Sequence, residues 1–97
     1  MRIVLVHEVS LQDDSASETL FKAIDSSFRP NKEDIIEDPA FFNYSYEPIV
    51  MVVRINYSQD ECYVYLSELI LGSNDPDDLT AYVTNAMING WSTEEPI

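Results

Sequence analysis

His7 and Cys62 are the chain's one histidine and one cysteine, and they exhaust its candidates for a base and a thiol nucleophile. Nucleophilic catalysis needs a hydroxyl or thiol whose proton is taken by a positioned base. No local signature of that kind surrounds either residue. His7 follows the apolar run Ile3 to Val6, and Cys62 opens the stretch CYVYLSELIL. Both read as strand residues, the histidine with an incidental hydrogen bond and the cysteine as a small hydrophobe. Two glycines, Gly72 and Gly90, cannot build a phosphate-cradling loop. Asn74, Asp75, Asp77 and Asp78 offer oxygen ligands in a tight run. That run lacks the alternation and terminal glutamate of an EF-hand loop, and Pro76 suits a helix start better. The expectation is a non-catalytic protein with no metal and no cofactor.

What remains is charge. Eighteen Asp and Glu against five Lys and Arg give 97 residues a formal charge of −13, and the sequence pI is near 4.1. A nucleic-acid binder needs a basic patch to displace counterions, so that class is excluded, and anionic membrane surfaces are disfavoured for the same reason. The acids fall into runs: Asp13, Asp14 and Glu18; Glu33, Asp34, Glu37 and Asp38; Asp60 and Glu61; Asp75, Asp77 and Asp78. A folded chain of this length has a radius of gyration near 13 Å, roughly 30 Å across, and B-DNA carries about eighteen phosphates over that distance. Carboxylates gathered on one face would therefore present a duplex-like field to a DNA-binding cleft, with Tyr44 and Tyr46 as packing anchors. A magnitude of about 2 to 8 suffices to keep a small domain soluble, and −13 exceeds it.

In size and charge the chain resembles the small acidic inhibitors that phages make against host nucleases, CRISPR effectors and restriction enzymes. That likeness, of size and charge alone, implies a basic, nucleic-acid-handling partner bound in the manner of a DNA mimic; the acidic runs make Asp13, Asp14, Glu18, Glu33, Asp34, Glu37, Asp38, Asp75, Asp77 and Asp78 the expected contacts. The rival expectation is an immunity protein or antitoxin that plugs a toxin enzyme, with contacts centred on Tyr44, Tyr46 and Trp91.

The elements that must position these residues follow from periodicity. Residues 2–9 are aliphatic on both faces, as in a covered strand. Ser15-x-x-Glu18 has capping-box spacing, and Ala16, Leu20, Phe21, Ile24 and Phe28 recur at helical intervals, which predicts a helix over 15–28. Residues 29–48 form a long connection with three prolines, expected to hold a helical turn near 32–37 and an edge strand over 41–47. Its aromatics Phe41, Phe42, Tyr44 and Tyr46 anchor it onto the core unless they form a contact surface. Residues 49–57 and 62–71 predict a hairpin, with Ile49, Met51, Val53 and Ile55 on one face of the first strand and Cys62, Val64, Leu66 and Ile70 on one face of the second. Asp75 followed by Pro76 opens a second helix, which Gly90 closes, and Trp91 folds back on it.

The order β-α-β-β-α predicts one α+β domain over residues 1–97: a three- to four-stranded antiparallel sheet with both helices on one face, close to a ferredoxin-like layer lacking its last strand. A meander of 41–47, 49–57 and 62–71 between two helices is the alternative. A single cysteine, no signal-like run and no membrane-length apolar stretch point to a cytoplasmic protein, monomeric or paired through an exposed strand edge.

Overall fold

Strand β1 (Arg2–Ser10) buries Ile3, Val4, Leu5, His7, Val9 and Ser10 and so occupies the middle of the sheet. A strand apolar on both faces needs a neighbour on each edge and a layer over each face. The computed structural model describes residues 1–96 and supplies those neighbours. On one edge β1 pairs antiparallel with β2 (Ser17–Asp25), from Arg2 opposite Asp25 to Ser10 opposite Ser17. On the other it pairs in parallel with β4 (Glu61–Leu66), Ile3 lying opposite Cys62 and Leu5 opposite Val64. The antiparallel strand β3 (Val50–Asn56) completes the order β2-β1-β4-β3. A two-residue strand, β5 (Leu69–Ile70), continues beyond β4 and pairs in parallel with Val9 and Ser10. The result is a small α+β fold with a mixed five-stranded sheet and one long helix, α1 (Pro76–Ile88).

Residues 15–28 are therefore not a helix. Asp13 and Asp14 close a hairpin turn instead: the Leu11 amide donates to the Ala16 carbonyl at 3.0 Å, and Asp14 adopts a left-handed backbone with φ 60°. Short acidic side chains tolerate that region better than most. Ser15, read as a capping-box residue, donates its amide to Asp13 Oδ1 at 3.0 Å, closing a turn on the aspartate rather than capping a helix. A full-length antiparallel ladder with β1 overrides a weak local helical preference. With that helix gone the sheet is mixed rather than antiparallel, and one helix rather than two covers its core face.

In the absence of a helix over 15–28, the connection 26–48 contributes Ile36, Ala40, Phe41, Tyr44 and Tyr46 to the core. It bonds to the start of β3, the Glu33 amide donating to the Val50 carbonyl and the Val50 amide to the Asp34 carbonyl, each at 2.8 Å. The turn expected near 32–37 is a single tight turn at Asn31–Asp34, and 41–47 is not a strand. A 3-10 helix over Pro39–Tyr44 stands there, with Asp38 as its N-cap and Pro39 in its first turn. It buries Phe41 and packs Tyr44 and Tyr46 on the core, while Phe42 points outward.

The β3–β4 hairpin differs from the expected alternation because a bulge lies between Val50 and Val52. It turns Val50 inward and leaves Ile49 and Met51 exposed, while Val53 and Ile55 keep contact with the core. In β4, Cys62, Val64 and Leu66 face inward as expected. Ser67 and Glu68 then break the strand, and Ile70 is exposed on β5.

Helix α1 begins and ends where expected. The Asp75 carboxylate accepts the Asp77 amide at 2.9 Å and Pro76 follows in the first turn. At its other end the Trp91 amide donates to the Ala86 carbonyl (3.1 Å) and the Gly90 amide to the Met87 carbonyl (3.2 Å). This pair is a Schellman closure, which needs a left-handed residue, and Gly90 has φ 94°. Trp91 is thereby turned back into the core beside Phe41 and His7. Ser92 exchanges two backbone hydrogen bonds of 2.8 Å with Phe21, covering part of the outer edge of β2.

Candidate functional site

Two polar constellations stand out, one inside the fold and one on its surface. Inside, His7 projects from β1 under α1, and its Nε2 is 2.8 Å from the Tyr82 hydroxyl. Phe41, Tyr46 and Trp91 surround the ring at centroid distances of 5.2, 5.4 and 6.2 Å. Burial lowers its pKa to about 4, against a smaller opposing pull from the Ser67 carbonyl, so the ring is neutral at physiological pH. Burial likewise pushes the Tyr82 phenol above its ordinary value. Cys62 lies in the core on the adjacent strand, and burial raises its thiol, so it is a poor nucleophile. His7 and Tyr82 are both fully buried, and together they make a packed polar pair within the core.

Beside it lies the one buried carboxylate among the described residues, Asp38. Its Oδ2 accepts from Lys22 Nζ at 2.7 Å, and its Oδ1 accepts the Ala40 amide at 3.0 Å and the Trp91 indole N–H at 3.1 Å. Burial would raise this carboxyl, but the Lys22 ammonium and the two N–H donors more than offset that and leave it below its usual value. Lys22 also donates to the Asn89 carbonyl at 2.9 Å, so one node ties β2, the 3-10 helix and the end of α1 together. Asp38 is thus structural and is not available at the surface. Tyr46 is committed similarly, its hydroxyl donating to the Ser67 carbonyl, and Tyr44 packs on the Tyr82 ring at 4.6 Å. The two tyrosines anchor the long connection.

On the surface, the fold brings together two acidic runs that are distant in sequence. The Gln12 amide donates to the Ser73 carbonyl at 2.9 Å and the Asp13 amide to Asn74 Oδ1 at 2.8 Å, stapling the β1–β2 turn to the start of α1. Asp13, Asp14, Asp75, Asp77 and Asp78 consequently share one end of the molecule. Glu18 joins them from the start of β2, opposite Val9, and Glu68 joins from the break after β4, accepting from Ser10 Oγ at 3.1 Å. All seven are exposed, and among the described residues none makes an ion pair. The Ser15 hydroxyl and amide hold the Asp13 carboxyl below its ordinary value, so this charge persists into mild acid.

Glu33 and Asp34 stand at the start of β3, the same end of the sheet but two strands away, and Glu37 is exposed on the connection beyond them. The opposite end of the sheet differs. There Arg2 pairs with Glu61 at 3.1 Å, and the Met1 ammonium lies 3.6 Å from Asp25 and 3.7 Å from Asp60. Seven acids at one end are therefore without an ion pair, whereas Asp25, Asp60 and Glu61 at the other are paired. Glu68 is the surface member that sequence reasoning missed. It lies within a stretch that reads as continuous strand, and the Ser67–Glu68 break has no glycine or proline to mark it.

No group of three or more metal-ligating side chains converges among the described residues, and no described helix is long and apolar enough to cross a membrane. Comparison with protein-family models, with curated proteins and with solved structures finds no match to this chain.

Proposed function

We propose that the protein is a non-catalytic inhibitor that binds a basic, nucleic-acid-handling protein through its acidic end, as a DNA mimic of the kind directed at CRISPR effectors, nucleases or restriction enzymes. The observation that supports this reading is the stapling of the β1–β2 turn to the start of α1. It gathers Asp13, Asp14, Glu18, Glu68, Asp75, Asp77 and Asp78 on one surface without a neutralising cation. Like charges held together raise the free energy of the folded chain, and a positive cleft would relieve that repulsion on binding. The immunity-protein reading has less support, because Trp91, Tyr44 and Tyr46 are spent on the core.

The test is capture of partners from bacterial lysate on the immobilised protein, with elution along a salt gradient and with duplex DNA as competitor. The reading expects a nucleic-acid-handling enzyme that elutes early with salt, is displaced by DNA, and loses activity when bound. The triple variant D14N/E18Q/D77N spares the Asp75 cap and should weaken capture by about tenfold or more while the circular dichroism spectrum stays the same. A partner indifferent to salt, DNA and the triple variant would remove the mimicry reading and favour the toxin-blocking one.

A further inference from the structure

The cations of this chain are as unevenly placed as its acids. Of the five, Arg2 and Lys22 are in ion pairs, while Arg29, Lys32 and Arg54 make none among the described residues, although carboxylates outnumber cations by 18 to 5. These three lie around the outer edge of β3. Arg54 is on the strand itself, and Arg29 and Lys32 border a groove of about 410 Å3 whose other walls are Pro30, Asn31, Met51, Val52, Val53 and Ile55. No carboxylate lines it. Arg54 stands apart from this groove, in another that Glu61 and Glu95 also line. Glu33 and Asp34 bond through their backbones to Val50, and Asp34 turns its carboxylate back onto the Asn31 amide at 2.8 Å.

The groove runs along an open strand edge. β4 covers the inner edge of β3, and residues 33–35 cover only its outer beginning at Ile49 and Val50. From Val52 to Asn56 no strand lies alongside among the described residues, and Met51 and Val52 are each about half exposed. An open edge offers backbone N–H and C=O groups to an incoming chain. Its charge selects the occupant. A second copy pairing β3 against β3 would bring like cations together, whereas an extended segment carrying carboxylates would meet Arg29 and Lys32 with opposite charge.

We propose that the outer edge of β3, with the groove between it and residues 29–32, is a strand-addition site for an extended segment of a partner protein that alternates apolar and acidic residues. The apolar side chains lie against Met51 and Val52, and the acidic ones meet Arg29 and Lys32. The site is separate from the acidic end and does not depend on the inhibitor reading.

The probe is a short synthetic peptide of alternating valine and glutamate, with a valine–lysine peptide of the same length as control, titrated into the isotope-labelled protein and followed by backbone amide resonances. The glutamate peptide should shift and protect the amides of Val52–Asn56 and the lysine peptide should not. The exposed-site variant R29E/K32E should weaken the glutamate peptide by about tenfold or more and confer binding of the lysine peptide, with the remaining spectrum unchanged. Equal binding of both peptides, shifts centred elsewhere, no binding at millimolar peptide, or protection of these amides by self-association in the absence of peptide would each overturn the proposal.

Discussion

Burial decides the protonation state of His7. A free imidazole titrates at 6.5, and the buried ring, enclosed by Phe41, Tyr46, Tyr82 and Trp91, titrates at about 4. Well above pH 6.5 the ring is neutral in both the folded and the unfolded chain. As pH falls below that value the unfolded chain takes up a proton that the folded one refuses, so stability is lost progressively down to about pH 4. The shift corresponds to on the order of 3 kcal/mol. Asp38, held below its ordinary value of 3.8, adds its own loss only at lower pH, as the folded carboxylate is finally protonated. We expect the urea midpoint of the wild type to fall between neutral pH and about pH 4, and to fall less in H7F/Y82F, which removes the imidazole together with the phenol it would orphan. Identical pH profiles would show that carboxylates carry the whole acid response. The histidine's role as a buried strand residue is legible in its apolar surroundings. Asp38 is only half legible: the Asp-Pro pair marks it as a cap for the Ala40 amide, but the partners that bury it, Lys22 and Trp91, are distant in sequence.

At the scale of elements, the legible parts are those whose causes are local. Asp75, Pro76 and Gly90 bound α1 through bonds spanning only a few residues, and their chemistry is visible in the sequence. Replacing Asp75 by alanine removes the acceptor for the Asp77 amide and should cost about 1 kcal/mol, whereas D75N, which keeps a side-chain oxygen there, should retain most of that stability. Chemical denaturation of D75A and D75N measures both, and an unchanged D75A midpoint would mean that the start of α1 draws its stability elsewhere. Strand β2 is illegible for the converse reason. Leu20, Phe21 and Ile24 fit a helical stripe, and only the demand of β1 for a neighbour makes them a strand. The same holds for the parallel pairing of β1 with β4, whose partners, such as Ile3 and Cys62, lie far apart in the chain. The bulge at Val50–Val52 is a third case. It changes which residues face the core only at the beginning of β3, so Met51, read as inward, is half exposed at the open edge while Val53 and Ile55 stay inward.

At the scale of the whole molecule, the charge is arranged along the sheet. Seven unpaired acids occupy one end, the far end carries paired acids, and the free cations border β3. The fold is 42 Å in its longest dimension and has a radius of gyration of 13.5 Å, so the acids lie within a few Debye lengths of one another at low salt. Added sodium chloride should therefore raise the melting temperature, most steeply below about 0.1 M, and D14N/E18Q/D77N should flatten that rise. A melting temperature that falls with salt would place the ion pairs Lys22–Asp38 and Arg2–Glu61 above the repulsion in importance.

The parallel seam between β1 and β4 bears on how the chain reaches this state. Hairpins β1–β2 and β3–β4 can each form early from neighbouring residues, but neither has a closed core until the two dock along that seam. Docking them orders the long connection between Asp25 and Val50 and joins residues as far apart as Ile3 and Cys62, which is the slow kind of step. Until then two apolar strands stand open to any other unfinished copy. Copies that each carry −13 repel, so the charge that we assign to partner recognition also keeps nascent molecules apart while the seam is unmade.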